Sequence, residues 1–244
     1  MGFRIKLFLR TWILPPGILV VWVWLNSLSE RWRYTGFRQK GYDEKRYWQD
    51  RHKQYGESLR GVGFKGMDEL ENMAWYLNGK YIFQALLAQL NLSTSTSILE
   101  IGFGTGFYTQ LLVERGIGSY LGVDIVDQHH DKLQNILSGT SSELLVADIG
   151  KENIKSFSAD LVTMLDVSQH IVNDKDLIFC LKQVDACLES GGFFMVTDSD
   201  ETFRESFYVC GRSFDFYKTN LSNYRVFHQK VRFRDKYALV LQKK

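Results

Sequence analysis

The chain has 244 residues, 45% of them hydrophobic and 24% charged, which suffices for one α/β domain with a real core plus an appendage. A formal net charge of +2 excludes a dedicated nucleic-acid binder, whose surface is far more basic, so no nucleic-acid partner is expected. Cys180, Cys187 and Cys210 form no C-x-x-C pair and have no histidine at ligand spacing. That excludes a disulfide framework and a thiolate metal site, leaves no expected metal, and fits reduced thiols in a cytosolic compartment.

All six tryptophans fall before position 76, so the front third has its own task. The 18 residues 11–28 carry no charge, the lower limit for a bilayer-spanning helix, and Trp12, Trp22, Trp24 and Trp32 suit a membrane interface. A cleaved signal peptide is a poor match, because Arg31-Trp32-Arg33 stands where a small-residue cleavage site belongs. Residues 1–30 are therefore expected to be a membrane anchor or interfacial segment. The heavier basic flank on the carboxyl side (Arg31, Arg33, Arg38, Lys40) is expected to keep the rest of the chain on the cytoplasmic face. Pro15-Pro16-Gly17 interrupts a simple span and leaves a re-entrant, monotopic anchor open beside it. The soluble alternative is an apolar helix packed on the domain.

Residues 31–67 form a polar, aromatic linker with a helix over 43–55 and a glycine-rich piece, Ser58-Leu59-Arg60-Gly61-Val62-Gly63-Phe64-Lys65-Gly66. The main domain then runs over 68–244. Leu70, Met73, Ala74, Leu77, Tyr81, Leu86, Leu87 and Leu90 recur near period 3.6 and predict a helix over 68–90 whose apolar face they form. Strand and helix alternate from there: strand 98–101 and helix 107–115, strand 120–125 and helix 128–137, strand 143–149, strand 159–166 and helix 175–189, strand 193–198. Residues 226–233 and 237–242, joined by Arg234-Asp235-Lys236, read as an antiparallel hairpin. The expected fold class is α/β, a Rossmann-like doubly wound sheet of five parallel strands closed by a C-terminal hairpin to seven, with the hydrophobic N-terminal segment added.

The densest signal is Ser97-Ile98-Leu99-Glu100-Ile101-Gly102-Phe103-Gly104-Thr105-Gly106-Phe107, an apolar strand, an acid, and glycines at every second position before a helix. Such a turn lets backbone approach a ligand closely. A dinucleotide fingerprint needs its third glycine where Phe107 stands, and a P-loop needs Lys-Ser/Thr where Phe107-Tyr108 stands. The pattern E-x-G-x-G-x-G resembles motif I of class I S-adenosylmethionine (SAM)-dependent methyltransferases, and the likeness extends over roughly residues 70–242. It implies SAM as cofactor. Gly102, Gly104 and Gly106 would line the floor beneath its methionine and ribose, and Glu100 would orient its amino group through water or loop backbone. Asp124, with Ile125 beside it, would take both ribose hydroxyls; Asp148 would accept from the adenine amine with Ile149 against the ring; Asp166 ends the fourth strand at the same crevice. His129 and His130 open the next helix near the adenine. The resemblance also implies a lid over the site from the segment before the first strand, where Arg60 and Lys65 could meet an anionic group.

His170, in a stretch resembling the Leu-x-His-Ile/Val of small-molecule methyltransferases, is the candidate general base. Asp198, Asp200 and Glu201 fall where acceptor loops lie. Neither Asn/Asp-Pro-Pro-Tyr/Phe nor Pro-Cys follows the fourth strand, which disfavours methylation of base or glutamine amines and of cytosine C5. The expected function is SAM-dependent methyl transfer to a small-molecule or lipid-linked acceptor at the cytoplasmic membrane face. A catalytically silent methyltransferase-like binding protein, a protein methyltransferase and an NAD-dependent enzyme are the alternatives.

Overall fold

The computed structural model describes residues 42–204 and 206–244, together with Leu28. Acidic caps start the first two helices among the described residues. Asp43 accepts from the Arg46 amide at 3.0 Å and opens α1 (Glu44–Tyr55). Asp68 and Glu71 form a reciprocal capping box, at 2.9 and 2.7 Å, that opens α2 (Glu69–Gln89). Caps of this kind contribute about 1 kcal/mol each by satisfying amides that the helix leaves orphaned.

The alternating part then runs β1 (Ser97–Ile101), α3 (Phe107–Arg115), β2 (Ser119–Asp124), α4 (His130–Ile136), β3 (Ser141–Val146), β4 (Ala159–Met164), a 3₁₀ turn (Ser168–His170), α5 (Asp174–Cys187) and β5 (Leu188–Asp198). A two-stranded ribbon, β6 (Phe203–Arg204) and β7 (Cys210–Gly211), and α6 (Phe214–Asn220) precede the hairpin β8 (Tyr224–Phe233) and β9 (Lys236–Lys243). The main sheet has the order β3-β2-β1-β4-β5-β9-β8. β1 to β5 are mutually parallel, and β9 runs antiparallel to both β5 and β8. The five parallel strands and closing hairpin expected from the sequence are therefore present.

Three local differences have physical causes. β5 starts at Leu188 rather than 193, because α5 passes straight into strand. Leu188 pairs with Ala159 and Phe193 with Leu161, and this bulge absorbs the Gly191-Gly192 segment. The ribbon and α6 were not expected, since their mixed aromatic and polar residues show no clear period. In α2 the apolar face is only partly the one expected. Leu86, Leu87 and Leu90 are buried as expected, but Leu70 is 82% and Tyr81 69% exposed, and Asn72, Tyr76, Gly79 and Phe83 are buried in the earlier turns instead. Both faces of this helix carry apolar residues, so periodicity alone could not choose between them.

Side-chain alternation along the strands divides the core in two. Leu99, Leu121, Val162 and Phe194 pack with Leu177, Leu181 and Val184 of α5. Ile98, Tyr120, Leu161 and Met195 pack with Phe83 and Leu87 of α2 and Leu111 and Leu112 of α3. By the same parity Glu100, two beyond Ile98, and Asp124, four beyond Tyr120, lie on the α2–α3 side.

The expectation of a membrane-associated protein with a cytoplasmic catalytic face is corrected here. Among the described residues no helix is long and apolar enough to cross a membrane. α2 has the length, at 21 residues, but Glu69, Glu71 and Lys80 interrupt its apolar sequence. Residues 1–27, which carried most of the anchor expectation, lie outside the described residues.

Candidate functional site

The carboxyl ends of the parallel strands open onto a cleft, the edge at which open α/β sheets bind their ligands. Gly102 and Gly104 form its floor. Gly102 has φ +76°, and a β-carbon there would collide with the side chain of Val167. Gly106 does not line the cleft. At φ +80° it is the N-cap of α3, packed beneath Leu133 and Ile136, and so it shapes the loop from below.

Asp124 ends β2 beside this floor and is held by backbone. Its carboxylate accepts from the Gly104 amide at 2.9 Å and the Val126 amide at 3.2 Å. Burial pushes its pKa up to about 6, and the amides oppose that rise by favouring the charged form. Ile125, Ala147 and Ile149 supply an apolar slot next to it, with Asp148 at the rim. Asp148 accepts from the Gly150 amide at 3.1 Å and from Lys151 Nζ at 2.9 Å, and Lys151 also reaches Glu44 at 2.7 Å.

Glu100 lies outside the cleft lining. It is buried under the glycine turn, accepting from Thr109 Oγ1 of α3 and Tyr120 Oη of β2, both at 2.7 Å. Burial raises its pKa to about 7. Between about 4.5 and 7 the folded chain therefore holds a proton that the unfolded chain has released, and stability must fall as pH rises through that window. Glu100→Gln is expected to remove a decline of roughly 3 kcal/mol from the pH profile of unfolding in denaturant. An unchanged slope would show that Glu100 is ionised throughout.

Asp166, just past β4, lines the cleft in a left-handed conformation, φ +61°. Its carboxylate is engaged by Arg234 and by Lys236, the latter at 3.1 Å. His170 also lines the cleft. Its Nδ1 stands 2.9 Å from the Tyr208 carbonyl, which fixes that nitrogen as the donor, and its Nε2 lies 3.2 Å from the Gln169 amide nitrogen. Burial lowers its pKa to about 3, so the ring stays neutral at physiological pH.

Several cleft-lining positions were missed in the sequence. Glu44, Trp48 and His52 recur every fourth residue, so one face of α1 covers the cleft. That spacing is a readable signal, but nothing in the sequence said which surface α1 would cover. His52 Nδ1 meets His129 Nε2 at 2.7 Å, and burial lowers both pKa values, that of His52 to about 3. Two neutral rings can share one N–H here, which ties α1 to the start of α4. Trp48 packs edge-on against His170 at 4.9 Å. Tyr76 of α2 and Lys151 are further lining residues not anticipated.

Other candidates lie elsewhere. Arg60 stacks over Tyr55 at 4.9 Å, and neither it nor Lys65 lines the cleft. The glycine-rich segment is held by Arg51, which donates to the carbonyls of Arg60 and Gly63. Asp198 is a buried hub accepting from Ser168, Tyr217, Ser199 and Arg212, whereas Asp200 pairs with Lys230. Neither these two nor Glu201 and His130 line the cleft. The cysteines are free thiols, and no group of three or more His, Cys, Asp or Glu among the described residues could hold a metal ion.

Residues 98–192 match a family model described as a methyltransferase domain. No curated protein matches the chain in sequence. Among solved structures, magnesium protoporphyrin IX methyltransferase from Synechocystis PCC 6803, with bound SAM, is similar at TM-score 0.62 and 16% identity, covering 83% of this chain and 98% of that one. The N-methyltransferase NodS from Bradyrhizobium japonicum WM9, in complex with S-adenosyl-L-homocysteine (SAH), is similar at TM-score 0.56 and 15% identity, covering 67% and 86%. Phosphoethanolamine N-methyltransferase 1 from Haemonchus contortus is similar at TM-score 0.62 and 14% identity, covering 82% and 49%. At these identities the likeness is one of fold. The match over residues 98–192, which includes the strand–glycine–helix motif, makes that part of the chain similar to a methyltransferase domain, and the sheet order is that of the same fold.

Proposed function

We propose that this protein transfers the methyl group of SAM to a small-molecule acceptor. The observation that carries this reading is Asp124, a carboxylate fixed by two loop amides between a glycine floor and an apolar slot. A diol held by both its oxygens would lie with a flat ring in that slot. Asp148, engaged by Lys151 and Gly150, keeps lone pairs free to accept from an exocyclic amine. Gly102 and Gly104 would pass beneath the amino-acid portion, with Glu100 and Gly106 supporting the turn rather than touching the ligand.

When bound, SAM supplies an electrophilic methyl group, so the protein chiefly needs to align the acceptor with it and exclude water. α1 covers the cleft with Trp48 and His52, and we assign the described part of residues 31–67 as the lid and 68–244 as the catalytic unit. His170, neutral, donates from Nδ1 to the Tyr208 carbonyl and accepts at Nε2 from Gln169, so it serves as a fixed wall of the cleft. Its burial makes it a weak base, which favours acceptors with a lone pair already available.

Equilibrium titration with SAM and SAH, followed by transfer of labelled methyl from SAM into a small-molecule extract, tests the proposal. Micromolar binding of both and a labelled product below protein size are expected. Failure to bind either compound would end the enzyme reading, and label found only in protein would shift the acceptor class.

A further inference from the structure

The outward face of α2 carries an exposed apolar line. Leu70, Met73, Ala74, Leu77, Tyr81 and Ala85 follow one another along one side of the helix, and all are exposed. Gln84 joins them, and no charge falls on the line, since Glu69, Glu71 and Lys80 stand at its edges. Beside its first turns Phe64, also exposed, stacks on Trp75 with ring centroids 6.4 Å apart. Single apolar side chains are ordinary on a surface, but a line that follows one helix face for several turns marks a contact. At 1.5 Å per residue it is about 22 Å long from Leu70 to Ala85.

The same chain contains a segment that needs such a face. Residues 18–28 follow Pro15-Pro16-Gly17, carry no charge and are apolar except for Asn26 and Ser27. An apolar run of about 10–14 residues is too short to cross a bilayer and has the length of a helix buried against protein. Ile18, Val21, Trp22, Leu25 and Leu28 fall at helical spacing. Leu28 is itself helical and partly buried. A helix of this run would be about 16 Å long, which the α2 line accommodates. The tether also suffices. Residues 29–41 reach up to about 45 Å when extended. α1 is about 18 Å long, and the Leu59 amide, shortly past its end, donates to Glu69 at the start of α2, at 3.1 Å.

We propose that residues 18–28 dock on the outward face of α2, over Leu70, Met73, Leu77 and Tyr81, as an intramolecular clasp. Neither surface carries a charge, so their contact buries none. The clasp also holds the start of α1 through residues 29–41, so the helix that covers the cleft is tethered at both ends. The contact is independent of what the cleft binds.

Cross-linking in the full chain tests this, with Cys210→Ser as background because Cys180 and Cys187 are buried. Leu77→Cys is paired in turn with Ile18→Cys, Val21→Cys, Trp22→Cys and Leu25→Cys, and exposed Asp215→Cys on α6 replaces Leu77→Cys as the control. A short bismaleimide, followed by mass spectrometry of tryptic peptides, reads the links, and sedimentation velocity reads the assembly state. At least one pair is expected to link within a single chain, independently of protein concentration and about tenfold or more above the control. Leu77→Lys and Trp22→Lys should each lower Tm by several degrees, and together by less than the sum of the two. Links only between chains, in a dimer that Leu77→Lys dissociates, overturn the clasp in favour of a second copy. Flotation with phosphatidylglycerol vesicles, abolished by Leu77→Lys and without links inside the chain, overturns it in favour of a lipid surface. Links at the control level with an unchanged Tm in Leu77→Lys leave the face to solvent and overturn it as well. Links inside the chain with no change of Tm in either lysine variant reduce the contact to passing collision, which also overturns it.

Discussion

Asp124→Ala is expected to weaken SAM and SAH binding by about 100-fold or more in calorimetric titration. Each hydrogen bond to an ionised carboxylate contributes about 1.5–3 kcal/mol, and two ribose hydroxyls would be lost together. Roughly 3 kcal/mol corresponds to a little over 100-fold in affinity. The Gly104 and Val126 amides also lose their acceptor, so the glycine turn is less well held. Asp124→Asn separates charge from shape. It removes the charge whose burial raises the Asp124 pKa to about 6, but its single acceptor oxygen serves only one of the two loop amides, so weaker binding with little change in Tm is expected. Wild-type affinity in Asp124→Ala would remove the ribose assignment.

Gly102→Ala should be nearly as damaging, for steric reasons. The backbone at φ +76° disfavours any β-carbon by about 1–2 kcal/mol, and the added methyl would collide with Val167. Relief of that collision moves either the 3₁₀ turn bearing His170 or the floor of the cleft. Loss of measurable SAH binding and a Tm lowered by several degrees are expected. The double variant Gly102→Ala/Val167→Ala removes the collision but not the backbone strain, and should recover part of both losses. If the double variant is no better than the single one, the close approach of Val167 is not what demands glycine here.

The sheet was legible because its signals are local. Alternation of strand and helix, the glycine turn after β1 and the Arg234-Asp235-Lys236 turn each depend on neighbouring residues, and parity alone placed Glu100 and Asp124 on one side of the sheet. The cleft was legible only along its strand-end edge. Gly102, Gly104, Asp124, Ile125, Asp148, Ile149, Asp166 and His170 all line it, since the ends of parallel strands converge whatever covers them. The cover was not legible. Trp48 and His52 reach the cleft through contacts to His170 and His129, which lie 122 and 77 positions away. Asp198 shows the converse failure. It follows the strand-end rule, yet the hydroxyls of Ser168 and Tyr217 and two amides draw its carboxylate into the core. Asp166 is intermediate, at the cleft but bound to a hairpin 70 residues later in the chain.

The side of the sheet shared by Glu100 and Asp124 has a thermodynamic consequence. Burial is the main cause of the raised pKa of Glu100 and the charge of Asp124 the smallest, so protonation at the two sites is weakly linked. Hydroxyl donors arriving at Asp124 stabilise its anion and lower its pKa, which expels a proton wherever Asp124 was protonated. The firmer charge on Asp124 then makes Glu100 more reluctant to ionise. Ligand occupancy and proton count are thereby linked near neutral pH, and the measured enthalpy of association includes the ionisation heat of whichever buffer exchanges those protons.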